Sequence, residues 1–196
     1  MATEGVTSRL LPALLGWCLS LWLACGIAVA LAAISAFPTM SERGVVVPGF
    51  ESLASHDAEA SGRLAAGFVM DRVFAATDLA QWILAPIATA MAVACWSRLA
   101  GRRGGRLAAT VGILSGLGLG LTLVHNIAIG PAMQTSLANY RELLLDGDLD
   151  AALAVRREFD TTHGLADRWY GVRMLAVGLA LPLALIMPGL PTRTAS

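Results

Sequence analysis

Apolar residues fall in four long runs along the chain, and the segments between them hold most of the charged residues. The runs cover about residues 10–37, 79–96, 107–129 and 169–187. A helix needs about 20 residues to cross a hydrocarbon core about 30 Å thick, and each run is about that long. The strand alternation of a β-barrel is absent, and only a helix satisfies its own backbone groups in lipid. The pattern predicts an all-α integral membrane four-helix bundle, a single domain over residues 1–196.

The first run also has features of a secretory signal peptide, because Arg9 precedes it and small residues occur near residues 33–36. Its apolar stretch is about 25 residues long, whereas the apolar region of a signal peptide has about 7–15. We therefore expect a retained membrane helix.

The first long connection, residues 38–78, begins with a turn signal. The dipeptide Phe-Pro at residues 37–38 predicts the end of the first helix. From Asp57 onward the apolar spacing is helical. We therefore expect the second membrane helix to begin well before its apolar run and to enter the membrane without a break.

The second long connection, residues 131–168, has two helical stretches. One begins at Pro131, which the first turn of a helix tolerates, and a turn at Gly147 separates it from the other. Residues 160–162 (Asp-Thr-Thr) then offer the N-cap of the fourth membrane helix. We expect these segments to form a small helical cap on the bundle.

Charged residues make up only 14% of the chain and the net charge is zero, so a nucleic-acid-binding surface is not expected. The short second connection, SRLAGRRGGR, contains no acidic residue. Its basic residues are Arg98, Arg102, Arg103 and Arg106. By the positive-inside rule this connection and both termini are cytoplasmic. The expected location is a bacterial inner membrane, with the lipid bilayer as the first partner.

The third run carries a glycine stripe at four-residue spacing, formed by Gly112, Gly116 and Gly120. Small residues at this spacing let two membrane helices approach closely. The stripe predicts a packing face, either inside one bundle or between copies of the chain. Pro86 and Pro182 lie inside the second and fourth runs, where they predict kinks or local unwinding.

Polar residues of three helices fall at one predicted depth. Counting about 20 residues back from Arg98 places Asp78 at the outer boundary. Ionisable groups at this depth need a partner or a wet cavity. We therefore expect an Asp–Arg pair between the second and fourth helices, Asp78 with Arg173 or Asp71 with Arg168. The predicted layer comprises Asp71, Asp78, Gln81, His125, Asn126, His163, Asp167, Tyr170 and Arg173.

Two interpretations of this layer stay open, a structural clasp between helices and a site for a cation or small solute. A haem site would use His125 and His163. The cysteines Cys18, Cys25 and Cys95 all lie in apolar runs, where packing is favoured over soft-metal ligation and an odd number makes no disulfide framework. No metalloprotease, P-loop or nucleophile-elbow motif occurs, so no catalytic residue is assigned.

Several short motifs have the order found in a known membrane family. They are a first helix ending in Phe-Pro, then GRLAAGFVMDRVF, GPAMQTSLANYREL and FDTTHGLADRWYG. Over residues 15–187 the chain resembles the four-helix transmembrane-protein-205-like family (domain of unknown function 4149), where a Phe and a His, here Phe159 and His163, lead into the last span. It departs from that family in carrying Asp167, Arg168 and Arg173 where the family is usually more apolar. The resemblance implies a link to metal-drug resistance and a layout similar to CopD-type copper-resistance proteins.

Three functional hypotheses follow. The first is a non-enzymatic transport or resistance-type component that handles a cation or small solute at the polar layer. The second is an accessory structural subunit of a larger membrane complex, which predicts a glycine-lined contact on the third helix. The third is a haem-binding membrane redox module, which predicts a Soret absorption band.

Overall fold

The computed structural model describes residues 2–101 and 104–187, and it describes the side chains from residue 10 onward within these ranges. The described residues are predominantly helical and contain no strand. In chain order the helices are α1 (Ala2–Glu42), α2 (Glu51–His56), α3 (Ala58–Leu99), α4 (Gly105–Val124), a π-helical turn (His125–Ile129), α5 (Gly130–Leu145) and α6 (Leu149–Ile186). Within the described residues, four helical segments are long and apolar enough to cross a membrane. The predicted all-α four-helix bundle is confirmed, and its composition indicates an integral membrane protein.

The chain divides into two compact units, each built from separate segments. The first unit comprises Met1–Cys25, Ala80–Leu123 and Tyr170–Ser196. The second unit comprises Gly26–Leu79 and Val124–Trp169.

In the first unit, four helices each bury one stripe of residues at alternating three- and four-residue spacing, which is the spacing of a single helix face. The stripes of α3 and α6 consist mostly of alanine, so the helices pack closely through small side chains, as membrane helices do. The buried apolar members include Leu15, Leu19 and Trp22 of α1, Ala85, Ala88, Ala92 and Cys95 of α3, Ala108 and Val111 of α4, and Val177, Ala180 and Ala184 of α6.

Gly118 of α4 lies in close contact with Trp22 of α1. A Cβ added there would lie 2.8 Å from a ring carbon of Trp22. At Gly112, Gly116 and Gly120, an added Cβ would meet no atom within 4 Å among the described residues. The added Cβ positions of the predicted stripe therefore face open space among the described residues. Packing inside one bundle stays a prediction. Contact between copies of the chain likewise stays a prediction.

The second unit has its own apolar core and a close contact between two helix backbones. A Cβ at Gly62 of α3 would lie 2.6 Å from Ser41 Cα and would also overlap the Met40 carbonyl. The core residues are Phe50, Leu53, Ala60, Leu64, Tyr140, Leu144 and Ala152. Only glycine allows the start of α3 to lie this close to the end of α1.

The long α3 confirms that the second membrane helix begins well before its apolar run. Asp57 caps it, because the Asp57 Oδ1 accepts a 2.9 Å hydrogen bond from the Ala60 amide. The expected end of the first helix at Pro38 is wrong, since α1 continues to Glu42. A proline costs one backbone hydrogen bond, and the chain instead turns at Gly44, whose φ of 56° suits glycine.

The expected N-cap of the fourth helix at residues 160–162 is also wrong, because α6 runs through them from Leu149. The Thr161 and Thr162 hydroxyls donate back to carbonyls four residues earlier, at 3.0 and 3.2 Å. The cap is Asp148, whose Oδ1 accepts a 3.1 Å hydrogen bond from the Ala151 amide. Pro86 and Pro182 lie inside α3 and α6 without ending them.

Candidate functional site: a buried polar layer

Three of the four buried stripes in the first unit end in a polar residue. These residues are Gln81 of α3, Thr122 of α4 and Arg173 of α6, and they are 1%, 1% and 2% exposed. Each lies one helical turn beyond a small or apolar member of its own stripe. Polar groups at the same end of three stripes form what we call the polar layer (Gln81, Thr122 and Arg173).

Two hydrogen bonds place these three residues at one depth. The Thr89 hydroxyl of α3 donates to the Ser115 carbonyl of α4 at 3.1 Å, which fixes the register of the two antiparallel helices. From this contact Gln81 lies about 12 Å along α3, and Thr122 lies about 10.5 Å along α4, at 1.5 Å per residue. Arg173 Nη1 donates to Thr122 Oγ1 at 3.5 Å, which places α6 at the same level.

Two described neighbours of the Arg173 guanidinium are Thr122 and Tyr170. The Thr122 hydroxyl donates its own proton to the Gly118 carbonyl at 2.9 Å, and its oxygen therefore faces the arginine as an acceptor. The Arg173 Cζ lies 4.8 Å from the ring centroid of Tyr170, within the range of a cation–π interaction. The arrangement holds the Arg173 side chain in the interior of the first unit.

Gln81 differs from its neighbours in the polar layer because its side-chain amide makes no hydrogen bond with the described residues. Neither Nε2 nor Oε1 has a hydrogen-bond partner among the described residues, although both atoms are buried. The indole Nε1 of Trp22 is also buried without such a partner. Its ring lies against Gly118, one turn from Thr122. This end of the core therefore has buried donors and an acceptor that make no hydrogen bond with the described residues. Each such group costs about 1–3 kcal/mol of stability.

Two members of this region, Trp22 and Thr122, were missed from the sequence. Trp22 continues the buried face of α1 that contains Leu15, Cys18 and Leu19, and Trp17 on the same helix is exposed. The three- and four-residue spacing along α1 was the available signal.

In the second unit, Asp71 forms its ion pair with a residue that was not predicted. Its Oδ2 accepts a 2.9 Å hydrogen bond from Arg141 Nη2 of α5. The Arg141 guanidinium also lies 4.0 Å from the ring centroid of Phe68, one turn before Asp71 on the same face of α3. The alternative pair of Asp71 with Arg168 is therefore wrong, since Arg168 is exposed and makes no ion pair among the described residues.

His163 and Asp167 also belong to the second unit. His163 Nε2 lies 3.7 Å from Asp167 Oδ2, and both side chains are substantially exposed. The imidazole stacks on the Phe159 ring, with centroids 5.5 Å apart and planes inclined by 10°. These contacts account for His163 as part of a local exposed cluster on one face of α6.

His125 and Asn126 occupy the π-helical turn at His125–Ile129. Pro131 follows closely, and it has no N–H to donate to the Ile127 carbonyl four residues earlier. A π-turn accommodates this lost hydrogen bond, and such turns are frequent at functional sites. Sequence reasoning placed the two polar residues on a regular helix and missed this turn, for which Pro131 was the signal.

The predicted layer is thus divided between the two units. Gln81, Tyr170 and Arg173 belong to the first, and the pair of Asp78 with Arg173 stays a prediction. No group of three or more His, Cys, Asp or Glu residues that could hold a metal ion occurs within residues 10–101 and 104–187. The predicted members in the second unit are Asp71, Asp78, His125, Asn126, His163 and Asp167.

Comparison of the chain with protein-family models, with curated proteins and with solved structures found no match. Membership of the transmembrane-protein-205-like family therefore stays a prediction from short motifs. The function is inferred from the geometry of the polar layer and from the composition of the helices around it.

Proposed function

We propose that this protein is a non-enzymatic membrane protein that binds a small solute in the polar layer of its first unit, as a transport or resistance-type component. The observation that supports the proposal is the unused amide of Gln81, which is buried at the depth of Thr122 and Arg173. A buried amide without a protein partner costs stability, and a bound solute would supply its missing hydrogen bonds. The resemblance to a resistance-associated family favours the same direction.

Of the two expected cargo classes, the polar layer favours a small solute over a cation. Cations in proteins are usually held by carboxylates, yet residues 10–25, 80–123 and 170–187 contain no Asp or Glu. The first unit offers hydrogen-bond donors and acceptors in place of an anionic ligand set.

The proposed location is a bacterial inner membrane, with both termini in the cytoplasm. The proposal is supported by the arginine-rich connection between the second and third spans, residues 97–106, which contains no acid. With this orientation, the polar layer lies in the outer half of the bilayer. Reporter fusions at residue 101 and at residue 147 test it, since only the former should be active in the cytoplasm.

Solute permeation through proteoliposomes tests the function. Vesicles containing the wild-type protein are mixed rapidly with hyperosmotic urea, acetamide, glycerol or sodium chloride, and light scattering follows their return to the original volume. The wild type is compared with Gln81→Met, which keeps the length of the side chain and removes its amide group. Gln134→Met makes the same chemical change at an exposed position of α5. At least one solute should enter faster with the wild type and the Gln134 variant than with the Gln81 variant.

A second candidate function is that of a subunit in a homo-oligomer or larger membrane complex. It is favoured by the glycine stripe of α4, where an added Cβ would meet no described atom within 4 Å at Gly112, Gly116 or Gly120. In lipid such a face suits a second helix. Native mass in mild detergent tests it, and an absorption spectrum of the same sample tests the haem alternative.

A further inference from the structure

We propose that the solute at Gln81 is a small uncharged molecule that carries a hydrogen-bond donor and an acceptor side by side, as a carboxamide or urea does. This inference rests on the proposed function, because it names the chemical class of the solute at that same site. It follows from which atoms of the first unit are unfilled and from how deeply they are buried.

The unfilled atoms of Gln81 set the hydrogen-bonding pattern. Its Nε2 carries two donors and its Oε1 is an acceptor, and neither has a partner among the described residues. A carboxamide or urea fills both ends at once through two parallel hydrogen bonds. A carboxylate has no donor for Oε1, and a metal or ammonium cation has no acceptor for Nε2.

Burial sets how completely the solute must be hydrogen-bonded. Gln81 is 1% exposed, and its own stripe continues with Ala85, Ala88 and Ala92, all fully buried. Each donor and acceptor left without a partner at such a position costs free energy, so a solute that pairs with both ends of the Gln81 amide is favoured over one that pairs with a single end.

Trp22 supplies a further donor in the same region. Its indole Nε1 is fully buried and has no described hydrogen-bond partner, and its ring lies against Gly118. The carbonyl oxygen of an amide or urea has two lone pairs, so it can accept from Gln81 and from a second donor.

Ordered water is the competing occupant. A buried water makes about three hydrogen bonds and would satisfy the same atoms. Water would not distinguish solutes with an amide group from solutes with hydroxyl groups alone, so selectivity between solutes of similar size separates the two.

The test compares entry rates of urea, acetamide and glycerol into the proteoliposomes described above. We expect urea and acetamide to enter about tenfold faster with the wild type than with Gln81→Met, which is the effect of about 1.4 kcal/mol of lost interaction. Glycerol should enter all vesicles at the rate of protein-free vesicles. Gln134→Met should behave as the wild type. If Gln81→Met does not fold, as judged by its helical circular dichroism, Gln81→Leu takes its place.

Two results would overturn the inference in distinguishable ways. Faster entry of glycerol or sodium chloride alone, lost in the Gln81 variant, would contradict the amide class and leave the proposed function standing. Equal entry of every solute with the wild type and the Gln81 variant would contradict both.

Discussion

Replacing Gln81 with methionine is expected to make the purified protein more stable while removing its solute. Two polar atoms of the side chain, Nε2 and Oε1, are buried without described partners, and each such atom costs about 1–3 kcal/mol. The two belong to one amide, so we take about 2 kcal/mol for the pair together. Methionine has a similar length and fills the same space with apolar atoms. For a chain of this size, 2 kcal/mol corresponds to a rise in the melting temperature of about 4–8 °C.

A thiol-reactive fluorophore can follow this change in detergent, because Cys18 and Cys95 are buried in the first unit and become reactive on unfolding. The control is Gln134→Met at an exposed position, which should shift stability by less than about 0.5 kcal/mol. Millimolar acetamide should raise the melting temperature of the wild type and leave that of Gln81→Met unchanged. A lower melting temperature for Gln81→Met would refute the reasoning, since it would mean that the amide is already hydrogen-bonded.

Three further predictions concern the scaffold. Gly62→Ala should destabilise the protein by about 1–3 kcal/mol in the same thermal assay, because its Cβ would overlap the backbone at the end of α1, whereas Gly164→Ala has open space and should not. Removing the side chains of Asp71 and Arg141 singly and together should give a coupling free energy of about 0.5 kcal/mol in a double-mutant cycle, because the ion pair is partly exposed. A coupling free energy of zero would contradict a stabilising ion pair. Gly116→Leu should not lower the melting temperature relative to the wild type, because the added side chain starts in open space. If the native mass of this variant is smaller than that of the wild type, the leucine has blocked contact with a second helix, which favours the oligomer.

The helical class and most of α3 could be predicted because both depend on local signals. Apolar runs of membrane length exclude other folds, and Asp57 offers a capping carboxylate just before a helical pattern. The start of α6 could not be predicted in this way. A threonine hydroxyl can cap a helix or donate back inside one, and Thr161 and Thr162 take the second use. Which use prevails depends on whether an earlier cap, here Asp148, has already started the helix.

The candidate site was only partly predictable, since spacing defines helix faces without showing which face meets a neighbour. Gly118 is two residues from Gly116 and Gly120, and therefore about 200° around the helix from each. The regular spacing of Gly112, Gly116 and Gly120 predicts a packing face there, yet the Trp22 ring packs against Gly118. The depth of Gln81 and Arg173 could be counted from the sequence. Their shared layer with Thr122 could not, because it depends on the rotation of three helices about their axes.

The polar layer also bears on whether these residues are a clasp or a site. Close packing of the first unit does not require polar residues, because the alanines of α3 and α6 and Gly118 already bring the helices together. A clasp explains Arg173, which donates to Thr122 and lies against Tyr170. It does not explain Gln81, because a clasp stabilises only through the hydrogen bonds it makes, and this amide makes none with the described residues. The observation that favours a site is therefore the neutral amide, although the charged residues of the chain are the more conspicuous feature of its sequence.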